Sequence, residues 1–248
     1  MKRHAQILLL VLSGLGLLHA ALFSDLYLRY VKEGLRPQLI ASGVLLLLLG
    51  MASAVLDRGR EKGNGHTHGH DVEHGHDHSI APRIAWLLLL PALSLLLYAP
   101  PALGAFTASR AAGKAVKKEK EFDPLPAASP VPMTLTDFTA RVQQDRKQAI
   151  RGRSIKMTGF VTPAAQGGDW YLTRIIFTCC AADSESVKVR MHGTAAPPAD
   201  TWVAVTGTSH RQGTLGTKSA AVILDVHRIE EISPPVNSFT DDLPLTPS

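Results

Sequence analysis

The chain has 248 residues, of which 45% are hydrophobic, 19% charged and 6% aromatic, and its formal net charge is +5. Long apolar runs fill much of the first 109 residues, which excludes a fully soluble protein and a chain whose only apolar segment is a secretory signal. Two cysteines are too few for a disulfide scaffold.

The N-terminal part contains three runs without Asp, Glu, Lys or Arg, at residues 6–24, 37–56 and 84–109. About 20 apolar residues cross a hydrocarbon core of about 30 Å as a helix, so each run has about the required length. We therefore predict a multi-pass protein of the plasma membrane with three transmembrane helices, over residues 6–27, 37–56 and 84–105. The first run also fits a cleavable secretory signal, with small residues near Ala20.

The membrane orientation is predicted from charge. Lys2 and Arg3 precede the first run, which favours a cytoplasmic N-terminus and an extracytoplasmic C-terminal domain. Lys and Arg residues occur on both sides of the predicted spans, so the positive-inside rule alone does not decide the orientation.

The predicted connection between the second and third spans, residues 57–83, carries a dense histidine tract. Imidazole binds zinc and other divalent transition metals, and carboxylates can complete the coordination shell. Glycines make the tract flexible, so we predict labile metal binding without a rigid catalytic geometry. The alternative is a polar low-complexity linker. The predicted ligands are His66, His68, His70, His74, His76, His78, Asp71 and Asp77.

His19 is an ionisable residue within an otherwise uncharged predicted span, with Ser13, Gly14 and Gly16 nearby for close helix packing. An ionisable residue at membrane depth is a candidate functional residue. The alternative is a histidine close enough to the membrane interface to reach water or a backbone carbonyl.

After a predicted linker at residues 110–133, the C-terminal half has the pattern of a β-rich domain, residues 134–232, followed by a Pro-rich tail. Five short β-type runs favour a small OB-like or Greek-key barrel, so the fold class is three membrane helices plus a mostly-β domain. The five runs are residues 154–161, 170–178, 186–192, 201–208 and 220–229.

One helix is predicted before this barrel, over residues 136–150. Thr136 is its predicted N-cap, because a threonine side chain can accept a hydrogen bond from the first turn. Phe138, Val142 and Ile150 are expected to share its apolar face.

Cys179 and Cys180 lie at the predicted end of the second strand and precede Asp183. Adjacent strand residues point to opposite faces, so both thiols line one site only if the chain bends there, and a disulfide between neighbours would be strained. Three interpretations compete: small buried hydrophobes, ligands of a soft metal, or a redox-active pair. Asp183 or a histidine could complete a metal shell, the histidines being His192, His210 and His227.

Two other functions receive little support from the sequence. The β-type runs contain few aromatic residues and the domain's charges nearly balance, so we predict no nucleic-acid binding. The chain has no nucleophile elbow, P-loop, dinucleotide fingerprint or H-E-x-x-H motif, so we predict no enzymatic activity. Arg174, within an apolar run, is either a surface residue or the partner of a carboxylate.

Motifs along nearly the whole chain resemble the YcgQ-like family of bacterial membrane proteins. The most specific part is Arg174 followed by Cys179-Cys180-Ala181-Ala182-Asp183, although the next three residues, Ser184-Glu185-Ser186, depart from the family's pattern of small residues, Pro and Gly. The resemblance implies a subunit of a two-component permease, with a multi-span partner subunit and a link to divalent metals. The other matching motifs are His19-Ala20, the histidine-rich loop, Asp137-Phe138, Gly152-Arg153, Gly159-Phe160-Val161 and Trp202-Val203.

These features together predict an accessory subunit of a membrane permease complex for a divalent transition metal such as zinc. The spans would dock on the partner subunit in the lipid bilayer, and the histidine tract would concentrate ions near it. The rival hypothesis is a membrane-anchored OB-like interaction or sensing module without a transport role. A membrane-anchored thiol oxidoreductase is a third possibility.

Overall fold

The structure is a computed structural model that describes residues 2–63, 103–111, 113, 116–119, 121–164, 169–236 and 238–243. The chain divides into two compact units, Met1–Leu18 with Ala41–Ala102, and His19–Ile40 with Leu103–Ser248. The predicted third span, at residues 84–105, lies almost wholly outside the described residues, and the predicted ligands of the histidine tract lie entirely outside them.

Two apolar helices form the N-terminal part, α1 over Lys2–Leu22 and α2 over Arg36–Gly63. Among the described residues, one stretch, Glu33–Leu56, is long and apolar enough to cross a membrane, whereas the apolar stretch Gln6–Leu22 is shorter. Leucines on both helices are exposed, for example 65% at Leu9. Such exposure is typical of lipid-facing helices and not of the core helices of soluble proteins.

The first predicted span, residues 6–27, extends too far, because α1 ends at Leu22. The Ser24 hydroxyl donates to the Ala20 carbonyl at 3.1 Å and the Arg36 Nε donates to the Ala21 carbonyl at 2.9 Å. These side chains satisfy carbonyl groups that have no further helical partner. The chain then forms two 3₁₀ turns, Leu26–Arg29 and Glu33–Leu35, and Arg36 begins α2.

Close approach of α1 and α2 depends on glycines that face the other helix. A Cβ added at Gly14 would lie 2.9 Å from the Gly43 carbonyl oxygen and 2.9 Å from the Leu47 Cγ. A Cβ added at Gly43 would lie 2.9 Å from the Leu18 Cγ. Small residues allow membrane helices to pack backbone to backbone in this way. Gly16, also predicted to aid packing, has nothing within 4 Å of its Cβ position.

The C-terminal domain is built around five strands that close into a barrel. The strands are β2 at Ile155–Pro163, β3 at Trp170–Ile176, β4 at Glu185–His192, β5 at Trp202–Ser209 and β6 at Ile223–Glu231. Their order is β2-β3-β4-β6-β5, and β5 pairs back onto β2. Neighbours within this barrel are antiparallel except β4 and β6, which are parallel. All five predicted strands are therefore confirmed.

Three short elements precede the barrel: helix α3 at Ala105–Arg110, strand β1 at Val131–Pro132 and helix α4 at Leu135–Gln144. Strand β1, which the sequence did not predict, pairs in parallel with β2 at the sheet edge. Helix α4 packs into the main core through its apolar face.

The boundaries predicted for α4 were wrong at both ends. Its N-cap is Thr134, whose side chain accepts from the Asp137 amide at 3.0 Å, and not Thr136. Phe138 and Val142 are buried on the helix as predicted. Ile150 is also buried, but it lies beyond the end of the helix at Gln144 and reaches the core from the following loop.

We predict that Gly14→Ala destabilises the helix pair by about 1–3 kcal/mol, because the added methyl group has no space beside the Gly43 carbonyl. Gly16→Ala is the matched control, since open space surrounds that position and alanine favours a helix over glycine by about 1 kcal/mol. Thermal unfolding of the detergent-solubilised full chain checks this difference. Equal melting temperatures for the two variants would contradict the packing described here.

Candidate thiol and metal site

The connection between β3 and β4 carries both cysteines. We call residues 178–183, which contain both cysteines, the thiol turn. Strand β3 ends at Ile176, and a 3₁₀ turn, Ala181–Asp183, follows the cysteines. The predicted second strand, residues 170–178, therefore ends two residues too late. Because the cysteines lie outside the strand, their side chains need not point to opposite faces. The chain bends here, which is the condition for both thiols to line one site.

Asp183 organises the thiol turn. Its carboxylate accepts from the backbone amides of Thr178 at 3.0 Å, Cys179 at 2.7 Å and Cys180 at 3.3 Å. The Asp183 amide in turn donates to the Cys180 carbonyl at 3.1 Å, so hydrogen bonds join the two residues in both directions. One carboxylate thus satisfies three consecutive backbone donors and fixes the backbone on which both thiols sit.

The two sulfur atoms converge. Cys179 Sγ lies 3.7 Å from Cys180 Sγ, far longer than a disulfide bond of about 2.05 Å. Two sulfurs bound to one tetrahedral zinc at about 2.3 Å each lie roughly 3.8 Å apart, so the observed spacing fits a shared zinc ion. Both sulfurs and an Asp183 carboxylate oxygen lie within 4.8 Å of one another.

Exposure decides against one of the three interpretations of the cysteines. Cys179 is exposed and Cys180 is half-buried, so neither acts as a small hydrophobe in the core. That interpretation was wrong, because the cysteines lie in a turn after the end of β3 and not in the core. A metal could reach the thiols from solvent.

The electrostatics of the turn disfavour a redox-active nucleophile. Hydrogen bonds with Asp183 and then with Cys180 raise the pKa of the Cys179 thiol to about 11, above its usual range. The hydrogen bond from Cys179, together with the three amides, holds the pKa of Asp183 below its usual range. Near neutral pH the Cys179 thiol stays protonated, whereas reactive cysteines have lowered pKa values. A bound metal would replace the thiol proton.

The thiol turn is bonded to the connection between the two apolar helices. The Lys32 amide donates to the Cys179 carbonyl at 3.0 Å, and the Ala181 amide donates to the Tyr30 carbonyl at 2.8 Å. Val31 and Cys180 thereby form an antiparallel bridge. Tyr27, in the same connection, is buried, and the Arg36 guanidinium lies 6.0 Å from the centre of its ring. No local pattern in the sequence indicated this long-range pairing.

Arg174 does not belong to the thiol turn. It is 1% exposed on β3, its guanidinium lies 5.1 Å from the centre of a Trp202 ring, and its Nη2 donates to the Thr240 carbonyl. Burial lowers its pKa to about 10, and the charges of Asp241 and Asp242 oppose that shift. The interpretation of Arg174 as a surface residue was therefore wrong. Its carboxylate partners are Asp241 and Asp242, which lie in the C-terminal segment.

The C-terminal segment is held on the domain by further contacts around Arg174. Phe239 stacks on Phe177 with ring centres 4.5 Å apart, and Asp241 accepts from the Thr136 amide at 3.2 Å. Arg174 therefore anchors residues of the predicted tail to β3.

The remaining predicted site residues lie elsewhere. His19 is in the last turn of α1, exposed, with its ring stacked 5.8 Å from the ring of Phe23. Within the described residues, the group of ligating atoms around the cysteines contains no histidine. His192 instead ends β4, the strand whose opposite end follows the thiol turn, and it lies with His210 and Asp225. His227 contacts Thr208, with its Nε2 3.2 Å from the threonine Oγ1.

Comparison with known proteins identifies the C-terminal domain. The family model described as the DUF1980 C-terminal domain matches residues 117–240, half of the chain. The match includes the whole barrel, helix α4 and the thiol turn. No curated protein and no solved structure matches the chain.

We predict that Asp183→Asn lowers the pKa of Cys179 toward its ordinary value near 8.5, because the variant removes the negative charge that opposes ionisation. At pH 8 the alkylation of Cys179 by iodoacetamide should then be at least about tenfold faster, since the thiolate is the reactive form. Tandem mass spectrometry locates the label. Asp169→Asn, which removes the partner of Arg190 on β4, is the control and should leave the rate unchanged. An unchanged rate in Asp183→Asn would contradict the assigned role of Asp183.

Proposed function

The chain belongs to the DUF1980 family, and from that premise we propose that it is an accessory subunit of a membrane permease complex for divalent transition-metal ions such as zinc. Membership is consistent with the resemblance to YcgQ-like proteins. One observation carries the proposal: the chain's two cysteines converge to a zinc-compatible spacing in a turn bonded to the connection between its apolar helices.

The thiol turn supplies part of a metal shell. Cys179 and Cys180 would bind the ion as thiolates, and Asp183 would act mainly by fixing the turn, because its oxygens already accept three amides. A tetrahedral ion has four positions, so at least one remains for water or for a group from the partner subunit. An incompletely enclosed ion exchanges more readily than one in a closed structural site, which suits the transfer of ions and not their storage.

The bonded connection also supports a membrane topology. Tyr30 and Lys32 lie between α1 and α2, and their backbone hydrogen bonds with Ala181 and Cys179 support a topology in which both segments lie on one side of the membrane. If α2 crosses the bilayer, the chain must cross once more before Leu103 for the domain to return to that side. The third uncharged run, predicted at residues 84–109, is long enough to do so. The histidine tract would then lie on the opposite side, in the cytoplasm.

A second function is supported by the barrel itself. The parallel pair that closes an otherwise antiparallel five-stranded barrel supports an OB-like fold. OB-like barrels often serve as interaction modules, so the rival proposal is a membrane-anchored interaction or sensing module without a transport role. The two proposals differ in whether loss of metal ligands changes metal handling.

We predict that reporters fused within residues 64–83 and after residue 243 lie on opposite sides of the membrane. Alkaline phosphatase is active only outside the cytoplasm, so it should be active after the C-terminal fusion and inactive in the histidine tract. A fluorescent protein that folds only in the cytoplasm should give the reverse pattern. The same side for both fusions would contradict the three-span topology.

For metal handling, we predict that replacing Cys179 and Cys180 together by serine lowers cellular zinc accumulation or shifts zinc tolerance, because serine is a poor ligand for a soft or borderline metal. Replacing the six tract histidines by serine should act in the same direction. Ser184→Ala, in the residue after the thiol turn, is the matched control. Elemental analysis of cells carrying each variant in place of the native gene gives the measurement.

The outcome separates the two proposed functions. If both sets of replacements leave zinc accumulation and tolerance unchanged while the protein reaches the membrane at normal levels, the permease proposal fails and the interaction module stands. Co-purification from native membranes of a multi-span subunit together with zinc, lost in the cysteine double variant, is the result that the permease proposal predicts.

A further inference from the structure

A second group of ligating side chains lies at the end of β4 that is remote from the thiol turn. His192 ends β4, and its register partner on the parallel neighbour β6 is Asp225. On the other side of β6, the register partner of Asp225 is Thr208 of β5. His210 follows two residues later, and its amide donates to the Ile223 carbonyl at 3.0 Å. Three adjacent chain segments thus each contribute one ligating residue.

The side chains already converge. His210 Nδ1 lies 2.7 Å from Asp225 Oδ1, and the His192 and His210 ring centres are 5.0 Å apart. One ligating atom from each of the three residues lies within 4.8 Å of the others. In a tetrahedral zinc site with ligands about 2.0–2.2 Å from the metal, ligating atoms are roughly 3.3–3.6 Å apart. Side-chain rotations that move these ligating atoms by about 1 Å would bring them to this spacing.

The sheet fixes the backbone under this cluster. Pairing of β4 with β6 and of β6 with β5 sets the positions of His192 and Asp225, and the amide bond to Ile223 sets that of His210. A preorganised site loses less conformational entropy on binding. The cluster is also open to solvent, with exposed fractions of 30% for the His210 side chain and 37% for that of Asp225.

We propose that His192, His210 and Asp225 form a second metal site, which takes a divalent transition ion with borderline character such as Zn²⁺ or Co²⁺. Two imidazoles and one carboxylate favour these ions over a soft monovalent ion, which prefers sulfur. Three protein ligands leave a position for water or an incoming ligand. This site extends the proposed function to a second position on the same domain, but it does not depend on the thiol turn.

The structure also supplies a matched control. His227 lies two residues after Asp225 on β6, and its Nε2 contacts the Thr208 hydroxyl and not the cluster. Like His192 and His210 it is a histidine, and like Asp225 it lies on β6. It is exposed to solvent but does not belong to the cluster.

The experiment is a Co²⁺ titration of the detergent-solubilised full chain in a background in which the six tract histidines, Cys179 and Cys180 are all replaced by serine. We expect about one ion per chain, with weak visible absorption and no thiolate charge-transfer band. His210→Gln and Asp225→Asn should each weaken binding at least about tenfold, because each removes one of three ligands. His227→Gln should leave the affinity unchanged, and circular dichroism checks that each variant is folded.

The background variant separates this proposal from the function proposed above. If the background variant binds no Co²⁺, while a chain that differs from it only in keeping Cys179 and Cys180 does bind, the second site is wrong and the thiol site stands. If His227→Gln weakens binding as much as His210→Gln, the ion binds nonspecifically and the proposal is overturned. If the background variant still binds Co²⁺ and cells that carry it accumulate zinc normally, the second site is supported and the permease proposal is contradicted.

Discussion

Two backbone hydrogen bonds, from Lys32 to the Cys179 carbonyl and from Ala181 to the Tyr30 carbonyl, tie the thiol turn to the connection between the apolar helices. The proposed topology depends on this pairing, because it requires both segments to share one side of the membrane. The proposed metal role depends on this pairing as well, because the pairing would hold the thiols close to a membrane partner that releases or takes up the ion. Without it, the C-terminal domain would be a small barrel on a tether.

The two candidate metal sites are preorganised by different means. In the thiol turn, one carboxylate gathers the amides of Thr178, Cys179 and Cys180, and the resulting bend brings two adjacent sulfurs to 3.7 Å. In the second cluster, the sheet register brings His192 and Asp225 side by side. Sulfur ligands favour softer ions, whereas the imidazole and carboxylate set favours borderline ones. One domain would thus present two sites of different selectivity at opposite ends of β4.

Much of the domain could be predicted from the sequence because its strands are short β-type runs between turn residues, and the runs of β2 and β4 alternate apolar and polar residues. The errors arose where local patterns were ambiguous or long-range contacts decided. Thr134 and Thr136 are both plausible N-caps. In the structure the Asp137 amide donates to the hydroxyl oxygen of Thr134, which makes Thr134 the cap. The end of β3 at Ile176 depends on Asp183, several residues later. The partners of Arg174 and of the thiol turn lie far along the chain, where no periodicity could indicate them.

The most direct test of the account is a cross-link between the two paired segments. Val31 and Cys180 form a non-hydrogen-bonded antiparallel pair, for which the Cα atoms lie about 4.5 Å apart, within the range of a disulfide. In a chain with Val31→Cys, Cys179→Ser and a protease site inserted within residues 64–83, oxidation should keep the two cleaved fragments joined until a reductant is added. Leu12→Cys in place of Val31→Cys should give separate fragments. Separation of the fragments in the Val31→Cys chain as well would contradict the pairing and the membrane topology derived from it.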